Sequence, residues 1–510
     1  MAYYLGIDVG TSGTKALLMA SDGRMLATAT GEHAAPAAPK PSWSEQDPRD
    51  WWAATTRAVR EVVAKAKIDG RKIAAIGLSG QMHGLVCLAE GVEPLRPAII
   101  WNDQRTARQA EQIEREAGGK RGLIKLVGNV AMTSFTLTKL LWVKQHEPSL
   151  YRGIRHILLP KDYVRLRLTG AYAGDVSDMS GTLMLDQVKR DWSEPIIKLF
   201  KLDRDILPPV YESHEITGQV AAEVAADLGL APGTPVVAGA GDQPAGAVGN
   251  GIVRRGLVSA TMGTSGVVFV HSPEYVTDPD GRVQTFCSAV AGEYCMFGCI
   301  LAAGGSFQWF RDTLGSGEVE AARRQGVDPY ELLTRQAAYA PAGCEGLFWL
   351  PYLTGERTPH ADPCARACWI GLTARTSRNE LVRSVMEGAT FAMNDALTIF
   401  RGRGLRPREI RLSGGGARSE FWRQLQADVY GSTCTTVRTE EGPAYGAAIL
   451  AAVGAGQYKS VPQACSAIIS TTRTIKPDPR AKRLYARYYR QYCQLYPALK
   501  DQFRAIAELG

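Results

Sequence analysis

The sequence predicts an α/β protein made of two similar halves. Three observations carry this. The 510 residues exceed the size at which one hydrophobic core stops growing. The tetrapeptide GTSG occurs twice, beginning at Gly10 and again at Gly263. Each copy lies between two apolar runs that read as strands. Hydrophobic residues make up 45% of the chain, enough for two large cores.

In YLGIDVGTSGTKALLM, Tyr4, Leu5, Ile7 and Val9 form a strand before the turn, and Ala16 to Met19 form one after it. SDGR at Ser21 then turns the chain into Met25 to Ala29, which completes a β-meander. Around the second copy, Leu257 and Val258 precede the turn and VVFVH follows it. Neither copy fits a P-loop, which needs G-x-x-x-x-G-K-[ST] opening a helix, and neither fits G-x-G-x-x-G. What remains is a tight hairpin whose glycines let backbone N–H groups approach an anion, with hydroxyls such as Thr11 and Ser12 as further donors. Singly, each turn reads equally well as a plain hairpin. Two of them at matching places suit a polyphosphate held from both sides of a cleft.

The copies differ two residues before the turn, where Asp8 stands in the first and Thr261 in the second. An acid at the end of a buried strand needs a partner. Loop N–H groups could supply it, and so could a Mg2+ ion beside phosphates. A second carboxylate, Asp242, sits in TPVVAGAGDQPAGAVGNG, where an apolar strand runs into a glycine-rich loop. It reads either as a cap of the following segment or as a general base for a substrate hydroxyl. In IRLSGGGARSEFWRQLQADVYG, a strand ends in three glycines and Ser419 caps an amphipathic helix with Phe421, Leu425 and Val429 on one face. Three bare residues there leave room for a flat ring, or simply end the strand.

MAYYLGIDVG holds no basic segment followed by an apolar one, so a secretion signal is not expected, and no later stretch is apolar enough to cross a bilayer. The net charge of +8 is spread along the chain, which argues against nucleic-acid and membrane partners and suits an anionic small molecule. Ten cysteines without a paired framework read as reduced core thiols of a cytoplasmic protein. His360, Cys364 and Cys368 in HADPCARAC are spaced too loosely for a zinc site. The basic and aromatic run AKRLYARYYRQYCQLYPALKDQF places Leu484, Tyr488, Tyr492 and Leu495 on one face, as a packed helix does.

Taken together, GIDVGTSGTK, SGQMHG, WNDQR, LLPKDY, GAGDQPAGAVG, MGTSG, YLTGERTPH and LSGGGARS, in this order, resemble the FGGY family of carbohydrate kinases. The resemblance spans nearly the whole chain. It implies a fold of the actin, Hsp70 and hexokinase type: two ribonuclease H-like domains of βββαβαβα topology, here 1–247 and 248–510, with ATP and sugar in the cleft between them. It also implies ATP with Mg2+ as cofactors and D-xylulose as the sugar, phosphorylated to D-xylulose 5-phosphate, with a homodimer as the candidate assembly. Ribulose, glycerol or gluconate are the alternative substrates, and an actin- or Hsp70-like ATPase is the alternative class.

By motif, Asp242 matches the catalytic base and Asp8 the carboxylate that organises metal and phosphate. Thr11, Ser12, Gly13 and Thr14, with Gly263 and Thr264, match the phosphate-contacting turns. Gly304 in LAAGGSFQW and Gly415 and Gly416 match the part that holds the nucleoside. Met82 and His83 match the sugar-contacting pair, with Trp101 and Asp103 lining the same pocket. On the residues alone, His83 reads equally as a hydrogen-bonded structural histidine. Gln243 departs from the family, many of whose members have Asn after the base, and stands where it could alter the hydrogen bonds around Asp242. The family's two signature regions have counterparts in MTSFTLTKLLW and GLTARTSRNELVRSVMEG, both expected to be structural.

Overall fold

The strands expected around the two GTSG turns organise two seven-stranded sheets, one in each half of the chain. The computed structural model describes residues 2–438 and 441–509. In the first half, β1 (Tyr3–Val9), β2 (Gly13–Ala20) and β3 (Met25–Glu32) form the expected meander, followed by α1 (Pro48–Ala66) and β4 (Ile73–Gly80). Helices α2 (Thr136–His146) and α3 (Pro160–Thr169) precede β5 (Ile216–Gln219), β6 (Pro235–Val237), β7 (Ala240–Gly241) and α4 (Asp242–Gly249). The strand order is β5-β6-β4-β1-β2-β3, with β7 also paired to β4.

The second half runs through β8 (Leu257–Met262), β9 (Gly266–Ser272), β10 (Gln284–Cys287), β11 (Tyr294–Ile300), α5 (Gly304–Leu314), α6 (Pro329–Tyr339) and α7 (Arg378–Gly402). It continues with β12 (Glu409–Ser413), α8 (Glu420–Tyr430), β13 (Thr433–Val437), α9 (Gly442–Gly454), β14 (Thr471–Ile475) and α10 (Pro479–Ala507). Its sheet has the order β10-β11-β9-β8-β12-β13-β14. Read from the other end, β14-β13-β12-β8-β9-β11 repeats the first sheet strand for strand, and β10 is an addition at the edge. The duplication signalled by GTSG is therefore a duplication of the whole sheet.

β1 is apolar on both faces because both faces are covered. Leu5, Ile7 and Val9 pack with Trp51, Val59 and Val62 of α1. On the other face, Tyr4, Leu17 and Met19 pack with Ala444, Ala448 and Ile449 of α9, a helix from the second half. Contact there is backbone to backbone: a Cβ on Gly6 would fall 1.9 Å from the Ala444 carbonyl oxygen. α9 also presses on α4, where a Cβ on Gly446 would fall 1.8 Å from the Ala245 oxygen. The two halves thus meet through a closely packed helix pair, and α4, whose first residue is Asp242, belongs to it.

Ser419 caps α8 as expected, accepting from the Trp422 N–H, and Leu425 and Val429 are buried below it. The C-terminal segment is indeed a helix packed on α7, although its buried stripe is Tyr485, Tyr492, Tyr496 and Phe503, with Leu484, Tyr488 and Leu495 at its margins. Specific polar contacts explain the offset. Tyr485 is drawn in by Glu387, to which its hydroxyl donates at 2.7 Å, and by Arg383, from which it accepts at 2.8 Å. His360 of HADPCARAC stacks on Tyr496 with ring centroids 3.5 Å apart, so its place is set by packing. Most cysteines are buried or partly buried, as core thiols should be, but Cys493 is exposed on α10.

Candidate active site

The site forms where strand ends of both sheets face each other. Asp8 lies opposite Lys15 on β2 and beside Ser79 on β4. Burial raises its carboxyl to about 6, against the pull of Ser79 and Lys15, and its Oδ1 is buried without a hydrogen-bond partner. A carboxylate oxygen left in that condition is costly unless a cation or donor arrives. Asp242 is the first residue of α4 rather than part of a loop, and Gly241 is the N-cap, so capping is not its role. Its carboxyl is pushed up to about 7, first by burial and then by the charge of Asp8, which places the two acids within each other's field. Gln243, the departure from the family pattern, holds Asp242 through both its backbone and its side chain.

Each hairpin is closed from its first glycine, but the second is one residue tighter. The Gly10 N–H donates to the Gly13 oxygen at 3.0 Å, and the Gly263 N–H donates to the Ser265 oxygen at 2.9 Å. Ser12, Gly263 and Thr264 are exposed at the tips, and Thr11 and Gly13 are partly so. Thr14 differs from the expectation. It is buried, and its hydroxyl pairs with His33 Nε2 at 2.9 Å, so it braces the strand instead of facing the cleft. The second hairpin is docked onto α5, with Gly304 N–H donating to the Gly263 oxygen at 2.9 Å and Gly305 N–H to that of Thr264 at 2.8 Å.

Beside the second hairpin is a cavity of about 810 Å3 that brings together Gly263, Thr264, Gly304, Gly415 and Gly416. Its far wall is Tyr330, Thr334 and Arg335 of α6 with Phe421 of α8. The three-glycine turn borders this cavity, and it is also a close approach: a Cβ on Gly416 would fall 2.6 Å from Met262 Sδ. The α6 residues were not anticipated. DPYELLTRQ reads as an ordinary capped helix, and nothing local marks the face that will meet a glycine turn far along the chain.

On the other side of the acids, SGQMHG turns sharply at the end of β4. Met82 packs against Gly241, where a Cβ would fall 2.8 Å from its Cε. His83 adopts a left-handed backbone with φ of 70°. Its Nδ1 lies 2.8 Å from the Gly181 carbonyl, which can only accept, so Nδ1 is protonated and Nε2 carries the lone pair. Burial first, then the Lys139 ammonium and more weakly Arg357, push its pKa down to about 3 and keep the ring neutral. Lys139, in the first signature region, is itself buried and donates to the His83 carbonyl at 2.8 Å. Gln81 connects this segment to the first hairpin, donating to the Gly10 oxygen at 3.3 Å and to Gln46 Oε1 at 2.9 Å.

Trp101 is 37% exposed and its indole N–H donates to Thr11 Oγ1 at 3.0 Å, which joins the sugar-side loop to the phosphate hairpin. Asp103 has a different position from the one its motif implies. Fully buried, it accepts from the Ser44 N–H at 2.6 Å and from the Arg105 backbone at 3.0 Å, and it is paired with the Arg105 guanidinium at 2.7 Å. Its lone pairs are committed to the Ser44 N–H and to Arg105.

Among the described residues, no group of three or more His, Cys, Asp or Glu is set to hold a metal ion. A Mg2+ bound by one or two carboxylates and by phosphate oxygens has no need of such a group, and the unpartnered Asp8 oxygen fits that kind of ligation. The arrangement offers two facing acids, two backbone-rich turns, a nucleoside-sized cavity and a hydrogen-bonding pocket. That set suits phosphoryl transfer between a nucleotide and a hydroxyl.

Comparison with known proteins agrees. Residues 3–249 match the model for the N-terminal domain of the FGGY family of carbohydrate kinases, and residues 258–455 match that for its C-terminal domain. The chain is 42% identical over 460 residues to the xylulose kinase of Escherichia coli strain K12, covering 90% of this chain and 91% of that one. A crystal structure described as a xyloylose kinase from Brucella ovis superposes with a TM-score of 0.89 at 35% identity, covering 98% of this chain and 100% of that one. A gluconate kinase structure from Lactobacillus acidophilus superposes with a TM-score of 0.91 at 26% identity, each chain 99% covered. The fold is accordingly that of the actin and hexokinase type.

Proposed function

The chain belongs to the FGGY family of carbohydrate kinases, and we propose that it transfers the terminal phosphoryl group of ATP to D-xylulose, giving D-xylulose 5-phosphate and ADP. The observation that carries the choice of sugar is the Met82–His83 turn. Packed against the residue before Asp242, it presents a neutral imidazole with a free Nε2 lone pair beside the base. Such a nitrogen accepts from a sugar hydroxyl, and its neutrality is kept by burial.

Asp242 takes the proton of the attacking hydroxyl, and it is the group whose raised pKa suits it to do so near neutral pH. Asp8 stays beside it to hold Mg2+, which when bound supplies charge neutralisation at the phosphates. The exposed hairpin tips, Thr11 to Gly13 and Gly263 with Thr264, turn N–H and hydroxyl donors toward the polyphosphate, and the cavity bordered by Gly304, Gly415 and Gly416 takes the nucleoside. Met82, His83 and Trp101 form the sugar side, while Asp103 positions its loop through Arg105. We divide the domains between residues 247 and 248, within the last turn of α4. Cytoplasmic residence and homodimeric assembly complete the reading and are tested by fractionation and sedimentation.

A second substrate is favoured by one observation: the gluconate kinase shares the fold as closely as the xyloylose kinase does. Fold does not fix the sugar. The test is sugar-dependent ADP release with MgATP, comparing D-xylulose with D-ribulose, L-ribulose, L-xylulose, glycerol, gluconate and no sugar. Preference for D-xylulose supports the reading. Preference for another polyol keeps the kinase and rejects the assignment of the pocket, and ADP release that ignores sugar points to an ATPase.

A further inference from the structure

The segment TGERTPH, in the second half, has no part in the site described above. Its Arg357 is half-buried and, among the described residues, forms no ion pair with any carboxylate. The acid next to it, Glu356, feels the Arg357 charge only as the weakest of its influences and forms no ion pair with it. Glu356 Oε1 accepts from the N–H of Leu301 at 3.0 Å and of Arg357 at 2.7 Å, and burial raises its carboxyl to about 8. A half-buried guanidinium without a counter-charge is an expensive arrangement unless a ligand supplies one.

The loop is pinned where such a ligand would lie. Thr358 N–H donates to the Cys299 oxygen, and the Cys299 N–H donates to Thr358 Oγ1, both at 3.1 Å. Cys299 lies near the end of β11, one residue before Ile300, which pairs with Gly266 at the base of the second phosphate hairpin. Two residues on the other side, Phe297 packs edge-on to Phe286, which packs in the same manner against His83, with centroids 4.9 and 6.0 Å apart. The loop that carries Arg357 is therefore anchored on the strand that leads from the aromatic contact with the sugar-side histidine to the base of the second phosphate hairpin. Besides Glu356, two groups from other elements register it: its charge acts on His83, and both its charge and a hydrogen bond act on Cys299, a thiol that also lies within the field of Asp242.

We propose that Arg357 is a further catalytic residue of the transfer, a guanidinium supplied by the second half that donates to the phosphoryl group as it passes from nucleotide to sugar. This rests on the kinase reading above. In the step, the bond from phosphorus to the leaving oxygen of ADP breaks and the bond to the sugar oxygen forms, while the hydroxyl proton goes to Asp242. Arg357 keeps all its protons. Its planar fork matches the equatorial oxygens on which charge is spread, and in a closed cleft such donors act with little screening. The first half contributes two acids to the centre, and Arg357 is the cation that the second half brings to meet the phosphate.

The test is steady-state kinetics of Arg357→Ala and Arg357→Lys with the sugar that the wild type itself prefers, alongside melting curves and guanidinium ion at non-denaturing concentration. Arg357→Ala should lower kcat by about 100-fold or more. KM for ATP should change little, and added guanidinium should restore part of the rate to Arg357→Ala but none to Asp242→Ala. If Arg357→Ala fails to fold, Arg357→Lys decides: it keeps the stem and the charge but loses the fork, and kcat should fall about tenfold. A kcat within about threefold of wild type in the folded variants, a loss confined to the sugar KM, or no rescue by guanidinium would each overturn the proposal. A wild type that prefers another polyol rejects the D-xylulose reading and leaves this test intact, whereas a wild type without sugar-dependent turnover removes both.

Discussion

The ends of β1 and β8 are the same place built twice, and they differ in one kind of atom. Asp8 stands beside Ser79 on the parallel neighbour, and Thr261 stands beside Ser413 on the corresponding neighbour. In the second half the pair is self-sufficient, the two hydroxyls bonded at 2.8 Å. In the first, neither Asp8 Oδ1 nor Ser79 Oγ completes a hydrogen bond, although Ser79 lies close enough to draw on the Asp8 carboxyl. A duplicated scaffold has thus been left complete on one side and unsatisfied on the other. The unsatisfied side lies within the field of Asp242, whereas in the second half it is the next residues of the strand and turn, Met262 to Thr264, that line the nucleoside cavity. Polar groups that lack partners in a finished fold indicate where a ligand has to supply them.

If this division of labour holds, the largest loss follows from Asp242→Ala. Removing the base should lower kcat by about 100- to 10,000-fold while ATP binding, measured by titration with ADP, stays within a few-fold of wild type. Next comes Asp8→Thr, which gives the first half the residue of the second. It should satisfy Ser79 and raise the melting temperature, yet cut kcat by about 100-fold and raise the Mg2+ concentration needed for half-maximal rate. A variant that kept both its rate and its Mg2+ dependence would show that the two strand ends are equivalent after all.

The pH dependence follows from the same two acids. A base works in its ionised form, and Asp242 is raised to about 7 in the free protein, so kcat/KM for the sugar should fall as pH falls through about 7. A cation bound at Asp8 favours ionisation of both carboxylates, so saturating Mg2+ should move this limb to lower pH. A limb that stays in place at all Mg2+ concentrations would separate Asp8 from the metal. In the second half, Gly304→Ala would set a Cβ 2.3 Å from the Gly263 oxygen and push the hairpin off α5. KM for ATP should rise by about tenfold with the sugar KM unchanged, the reverse of what His83→Ala should do.

Much of this comparison was legible before any coordinates. Asp8 and Thr261 stand at matching offsets from identical tetrapeptides, and the flanking apolar runs fixed the strands. Residues that act over short distances along the chain, such as Ser419 at its helix start, were equally plain. Three things were not legible in the chain. Asp242 opens a helix because β7 and α4 leave no room for the loop that five nearby glycines and a proline suggest. Thr14 points inward because β2 alternates and His33 waits across the strand pair. Asp103 is saturated by an arginine two residues away, a local pairing whose burial no local pattern announces. Each depends on which distant surface covers the residue, and that information is spread over the fold.

The smallest predicted effect discriminates most finely. Thr261→Val keeps the volume of the side chain and removes its hydroxyl, so that Ser413 loses the bond at 2.8 Å. Leaving one neutral hydroxyl with a poorer partner costs about 1 kcal/mol, visible as a lower denaturation midpoint. Because that hydroxyl already has its partner within the fold, it has no duty toward the reacting groups, and kcat should stay within about twofold of wild type. A large fall in kcat with unchanged stability would mean that Thr261 reaches the phosphates when the cleft closes. The second strand end would then share in the chemistry, and the contrast with Asp8 would be one of charge alone.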